Sequence, residues 1–173
     1  RTKGSYAPSE AGNWWYRFFA KEPPHITLEH VDHGKMLKFR RSVSLLMKAS
    51  KKPVIFKNMY ETVRMQPIKK YIPESLFIVL ERKEIDNAHS LLETRYKVFK
   101  NYNTWWSVKT PEYEKLIKCR PGKQVIEQIR GLHKIVKEDL SKMEVDPKTV
   151  FNISYDELCK NPEPIIQDLQ KFL

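Results

Sequence analysis

The run "PESLFIVLER" at 73–82 limits the possible folds more than any other stretch. Five consecutive apolar residues, Leu76 to Leu80, stand without alternation and end on Glu81-Arg82. A strand with one wet face alternates, whereas a continuous apolar strand belongs to a parallel sheet covered on both faces. Two further runs read as strands, "KKPVIFK" (51–57) and "KTVFNISY" (148–155). Helical spacing fills the chain around them. A basic helix is predicted over 36–49, and another over 60–72, kinked at Pro67. A third covers 84–99, with Ile85, Ala88, Leu92, Tyr96 and Phe99 as its apolar stripe. The longest runs over 122–143 on Val125, Ile129, Leu132, Val136, Leu140 and Met143, and a last one begins at 162 with Asn161 as its N-cap. The order predicts an α/β fold, a parallel β-sheet flanked by helices on both faces. Ligands in such folds bind beyond the carboxyl ends of the strands, which here are Lys57, Arg82 and Tyr155.

At 173 residues the chain reads as one domain, 1–173, or the larger part of one, and its 40% hydrophobic content can fill a core. A charge of +11, from 32 basic and 21 acidic residues, favours anionic partners without choosing among them. Two cysteines 40 positions apart, Cys119 and Cys159, make neither a disulfide framework nor a metal spacing. His30 and His33 in "EHVDH" lack an evident third ligand, so no metal is expected. No stretch approaches the length needed to span a bilayer.

Arg82, at a strand end, can offer its planar fork to phosphate oxygens. Ser90 can add a hydroxyl from the following helix, whose N-terminus supplies unpaired N–H groups. The simpler reading of that spacing pairs Arg82 with Glu81 or Glu84 and leaves Ser90 as a capping residue. Trp14, Trp15, Trp105 and Trp106 suit either an acceptor pocket or a core, and one of each adjacent pair is expected to be buried.

The surrounding segments, "VIFKN", "YIPESLFIVLERKEIDNAHSLLETR", "WWSVK" and "VFNISYDELCKNPE", taken in order, resemble the nucleotide-dependent sulfotransferase family over about residues 5 to 173. The resemblance implies a P-loop, nucleotide-kinase-like sheet and a donor, 3′-phosphoadenosine 5′-phosphosulfate (PAPS), released as adenosine 3′,5′-bisphosphate. It assigns Arg82 and Ser90 to the 3′-phosphate, Tyr155 to the adenine and Lys57 to the transferring sulfate. It places Trp105 and Trp106, and Trp15 in "PSEAGNWWYRFF", beside the acceptor, which is expected to be a small molecule or carbohydrate rather than a nucleic acid. Bacterial-type members are the most similar. Cytosolic members carry a histidine base two residues after the lysine. Here that position is Met59, so Glu10 takes the role, with helix capping as the alternative. The family's first strand and phosphosulfate loop have no counterpart in "RTKGS" and are expected upstream of Arg1.

A competing reading is a non-catalytic basic domain that holds an anionic polymer or nucleic acid. A nucleotide kinase is disfavoured because no Walker-type loop is present. Few cysteines favour a cytoplasmic protein, with the Golgi lumen as the alternative, since the acceptor sequence "NIS" at 152–154 falls inside a predicted strand.

Overall fold

The structure is a computed structural model that describes residues 11–143 and 146–173. The chain divides into two compact units, Arg1–Pro73 and Glu74–Leu173.

The first unit is helical. A single turn, α1 (Gly12–Trp15), precedes the 18-residue α2 (His33–Ser50). Asp32 starts α2 by accepting a hydrogen bond from the Lys35 N–H at 2.7 Å, and Lys51 ends it in the left-handed conformation at φ 53°. Spacing of three and four brings Met36, Phe39 and Val43 onto one face, where all three are buried. Each such side chain contributes about 1.5–3 kcal/mol on leaving water. They pack with Trp15, Phe18, Phe19, Ile26 and Ile72 in a core dominated by aromatic rings. Two 3₁₀ segments (Leu28–His30 and Met59–Val63) and α3 (Met65–Tyr71) complete the described elements of the unit. The predicted kink at Pro67 is instead a break at Arg64, and Pro67 lies inside the first turn of α3, where its missing N–H costs nothing.

The second unit holds the sheet. Strands β1 (Phe77–Glu81) and β2 (Val150–Ser154) run parallel in the register Phe77↔Val150 to Glu81↔Ser154. Between them come α4 (Glu84–Phe99), α5 (Tyr113–Leu116) and α6 (Pro121–Lys142); α7 (Tyr155–Lys160) and α8 (Pro162–Phe172) follow β2. Helices α4 and α6 meet through Ala88, Val125 and Ile129, flanked by Leu91, Leu92 and Ile126. Asn161 stands at the α8 N-cap position, but its side chain accepts no capping hydrogen bond.

The parallel sheet set among helices agrees with the expected α/β class, and three finer readings need correction. Among the described residues the sheet has two strands: 53–58 is irregular chain without a ladder partner, and a strand exists only through such pairing. Along β1, Phe77 and Val79 are half-buried while Ile78 and Leu80 stay exposed, so a continuous apolar run sits half in water. The buried stripe of α4 is also rotated from the predicted one. It passes through Ala88, Leu91, Leu92 and Arg95, leaving Ile85, Tyr96 and Phe99 exposed. No helix among the described residues is long and apolar enough to cross a membrane.

Candidate active site

The parallel register decides which residues meet at the carboxyl rim of the sheet. Glu81 pairs with Ser154, so the next residues on the two strands, Arg82 and Tyr155, become neighbours, and then Lys83 and Asp156. Each predicted neighbour pair makes a contact. The Arg82 guanidinium lies 4.7 Å from the centroid of the Tyr155 ring, a cation–π distance. Lys83 Nζ stands 2.8 Å from Asp156 Oδ2. That hydrogen bond holds the Asp156 carboxyl below, and the Lys83 ammonium above, their usual ranges.

Arg82 is half-buried, and its Nε is shut off from solvent with no hydrogen-bond partner among the described residues. The simpler sequence reading, an ion pair with Glu81 or Glu84, does not occur. Glu84 turns to α6 and receives two hydrogen bonds from Arg130, from Nε and Nη2, each 2.8 Å. Arg130 holds the Glu84 carboxyl below its usual range. An acid in the first turn of α4 is thereby diverted from the rim. The N-cap, Lys83, provides no side-chain acceptor for the leading N–H groups of α4. A buried donor without an acceptor costs about 1–3 kcal/mol unless a ligand satisfies it.

Ser90 sits in the second turn of α4, half-buried. Its carbonyl accepts a hydrogen bond from Thr94 Oγ1 at 2.8 Å, and no hydrogen bond joins its hydroxyl to Arg82. Tyr155 opens α7, which Ser154 caps by accepting from the Glu157 N–H at 3.4 Å.

Trp105 and Trp106 lie on the loop between α4 and α5, and their fixing is the feature that sequence reasoning missed. Arg95, completely buried, donates from Nη1 to Gln124 Oε1 at 2.6 Å and to the Tyr102 carbonyl at 3.2 Å, and from Nη2 to Gln128 Oε1 at 3.4 Å. Its guanidinium also covers the Trp105 ring at 5.2 Å. Gln128 in turn donates to the Trp106 and Val108 carbonyls at 3.0 and 2.7 Å, and Gln124 to the Cys119 carbonyl at 2.8 Å. Two amides one turn apart on α6 thus hold backbone on either side of α5, Gln128 that of the tryptophan loop and Gln124 that of the segment before α6. Between Trp106 and Val108 the loop bends through Ser107, at φ 71°. Trp105 is half-buried against Tyr113 at 4.9 Å, and Trp106 is 37% exposed beside Phe99. The signal was present in the sequence: Arg95 lies seven residues after Ala88, on the apolar side of α4, and Gln124 and Gln128 border Val125 and Ile129.

Lys57 and Trp15 belong to the first unit. Lys57 is exposed, with its backbone pinned on either side. Phe56 stacks on Trp14 at 5.3 Å, and Asn58 Oδ1 accepts from the Tyr60 N–H at 2.8 Å. Trp15 is 2% exposed and packs against Phe19, Phe39 and Phe56, which makes it core. Trp14 beside it is half-buried. His33 is hydrogen-bonded to the Tyr71 hydroxyl, and His30 accepts from the Thr27 N–H, so the two histidines serve separate local contacts. Glu10 lies outside the described residues.

No curated protein and no solved structure matches the chain. A family model described as "Sulfotransferase family" matches residues 7–173, nearly the whole sequence. The chain therefore belongs to the sulfotransferase family.

Proposed function

We propose that the protein transfers a sulfuryl group from PAPS to an acceptor hydroxyl or amine, within one domain spanning 1–173. The observation that carries this reading is the Arg82–Tyr155 pair, a half-buried guanidinium with no acid partner among the described residues, beside an aromatic face at the end of a parallel sheet. A 3′-phosphate suits the first group and an adenine ring the second. The uncapped start of α4 adds a partial positive charge, and Ser90 a hydroxyl. When bound, the nucleotide supplies the sulfuryl group. As the sulfur–oxygen bond to the acceptor forms, that to the nucleotide breaks, by analogy with phosphoryl transfer. Lys57 would stabilise charge on the oxygen that leaves. Glu10 would take the acceptor's proton, and Trp105 and Trp106 would bound the acceptor.

Adenosine 3′,5′-bisphosphate should raise the melting temperature of the protein. Saturation at a hundred times the dissociation constant stabilises by about 2.7 kcal/mol. Arg82→Ala should abolish the shift while leaving the unliganded melting point nearly unchanged. An equal shift in the variant would place the nucleotide elsewhere. Glu10→Gln should slow transfer of labelled sulfate by about 10²–10⁴-fold, the usual contribution of a positioned base.

A further inference from the structure

Helix α2 is chemically unlike the other long helices. On α4, α6 and α8, lysines pair with acids one turn away: Lys97 with Glu93, Lys134 with Glu138 and Lys171 with Asp168. Across its 18 residues α2 carries Lys35, Lys38, Arg40, Arg41 and Lys48 and no Asp or Glu. Three of these cations, Lys35, Lys38 and Arg41, recur every three residues along about 9 Å of helix. With Arg17 they border an open groove of about 350 Å³. Its remaining described lining is Phe18, Ser42 and Leu45, so among the described residues no carboxylate enters it and the four cations make no ion pair. Like charges held this close repel unless an anion lies between them.

We propose that this groove binds an anionic polysaccharide carrying sulfate or carboxylate groups. Resting on the transferase reading, the inference makes such a chain the acceptor. Among the described residues the groove offers no open aromatic platform, because Phe18 is 7% exposed and lies beside the Arg17 guanidinium at 5.9 Å. Single-stranded nucleic acid needs such platforms for its bases. The surface is also concave and flanked on two sides by charge, a shape that suits a chain better than a flat bilayer. Ser42 adds a hydroxyl for sugar contacts. The floor connects to the proposed transfer chemistry within the same unit. Phe18 packs on Trp14 at 5.1 Å, and Trp14 stacks on Phe56, the residue before Lys57. A chain lying in the groove is thus held two ring contacts from the residue that positions Lys57.

The test measures binding of dextran sulfate and of neutral dextran at physiological salt. The protein is compared with Lys35→Glu/Lys38→Glu/Arg41→Glu and with a charge-matched control, Lys123→Glu/Lys137→Glu/Lys142→Glu on α6. Both variants lose the same net charge. The groove variant should bind dextran sulfate about tenfold or more weakly, the control about threefold or less, and dextran should not bind. Equal losses in the two variants would overturn the site as mere bulk charge. A larger discrimination by the groove with phosphatidylglycerol vesicles or oligothymidylate than with dextran sulfate would overturn the polysaccharide assignment. The neutral Lys35→Gln/Lys38→Gln/Arg41→Gln variant keeps the test valid if charge reversal unfolds α2. The adenosine 3′,5′-bisphosphate shift, measured in parallel, separates the two readings. Its absence with groove-dependent binding intact would sink the nucleotide site alone, and the converse result would sink the groove alone.

Discussion

Each unit of the molecule buries an arginine, and the two do so in opposite ways. Arg64, 1% exposed in the first unit, has a carboxylate: Glu61 Oε1 lies 3.2 Å from its Nη1. Three rings surround it, Tyr16, Phe19 and Tyr60, with centroids at 5.7, 5.2 and 5.5 Å, and the Ala20 carbonyl accepts from Nη2. Arg95 in the second unit meets no acid among the described residues, only two amide oxygens, one carbonyl and one indole face. Burial pulls its guanidinium below the usual range. The first arrangement sets a cation inside an aromatic core beside a single carboxyl group. The second uses a charge to fix a loop, because the Tyr102 carbonyl lies on that loop and Gln128 holds it, while Gln124 ties in the segment after α5. The difference teaches that a buried cation need not be an ion pair when its work is to order polar backbone.

The comparison is broken most directly at Arg95. Arg95→Met keeps the volume but leaves buried amide and carbonyl oxygens without donors, and should cost about 3–5 kcal/mol in urea unfolding, with the fluorescence of Trp105 and Trp106 altered even below the transition. A cost under about 1 kcal/mol would mean that water replaces the guanidinium and that the loop does not depend on it.

The next effect lies in the other arginine's partner and depends on pH. Burial pushes the Glu61 carboxyl up to about 7, although the Arg64 charge and hydrogen bond pull it down. The folded protein therefore holds a proton that the unfolded chain releases between about pH 4.5 and 7. This contribution to stability is complete below about pH 4.5, and is lost as pH rises towards 7. Glu61→Gln keeps an acceptor for Arg64 and removes the titration. The difference in stability between protein and variant should change by on the order of 1–3 kcal/mol across that window. A flat difference would show that Glu61 stays ionised and that the pair resembles a surface salt bridge.

The smallest effect is expected at the rim. Lys83 is 71% exposed, and water screens its attraction to Asp156. Lys83→Ala should leave the melting temperature within measurement error. A clear loss would show that exposed charge here matters as much as buried charge, which would erase the distinction drawn above.

Much of the element order could be read from the sequence, because period and caps are local. The apolar run ending on Arg82, the helix at 84–99 and the long helix from Pro121 all follow from spacing. What escaped depends on partners distant in sequence. The segment "VIFK" has strand composition, yet composition supplies no neighbour to pair with. Spacing places Arg95, Gln124 and Gln128 on or beside apolar faces, but their mutual contacts exist only once 29 to 33 positions of separation are closed by folding. The candidate site was legible in part. Arg82 and Tyr155 come together because two strands share a register, whereas Ser90 stands on α4 without a bond to either. Trp15 took the core alternative, its ring enclosed by phenylalanines.

One consequence of the five-pair ladder between β1 and β2 concerns insertions and deletions. Losing one residue from β2 would move Asp156 into the place of Tyr155. Arg82 would then face a carboxylate instead of a π-cloud, and its charge would be quenched from within. Substitutions that leave chain length intact spare this alignment. A single-codon deletion within β2 would rewrite the electrostatics of this sheet end.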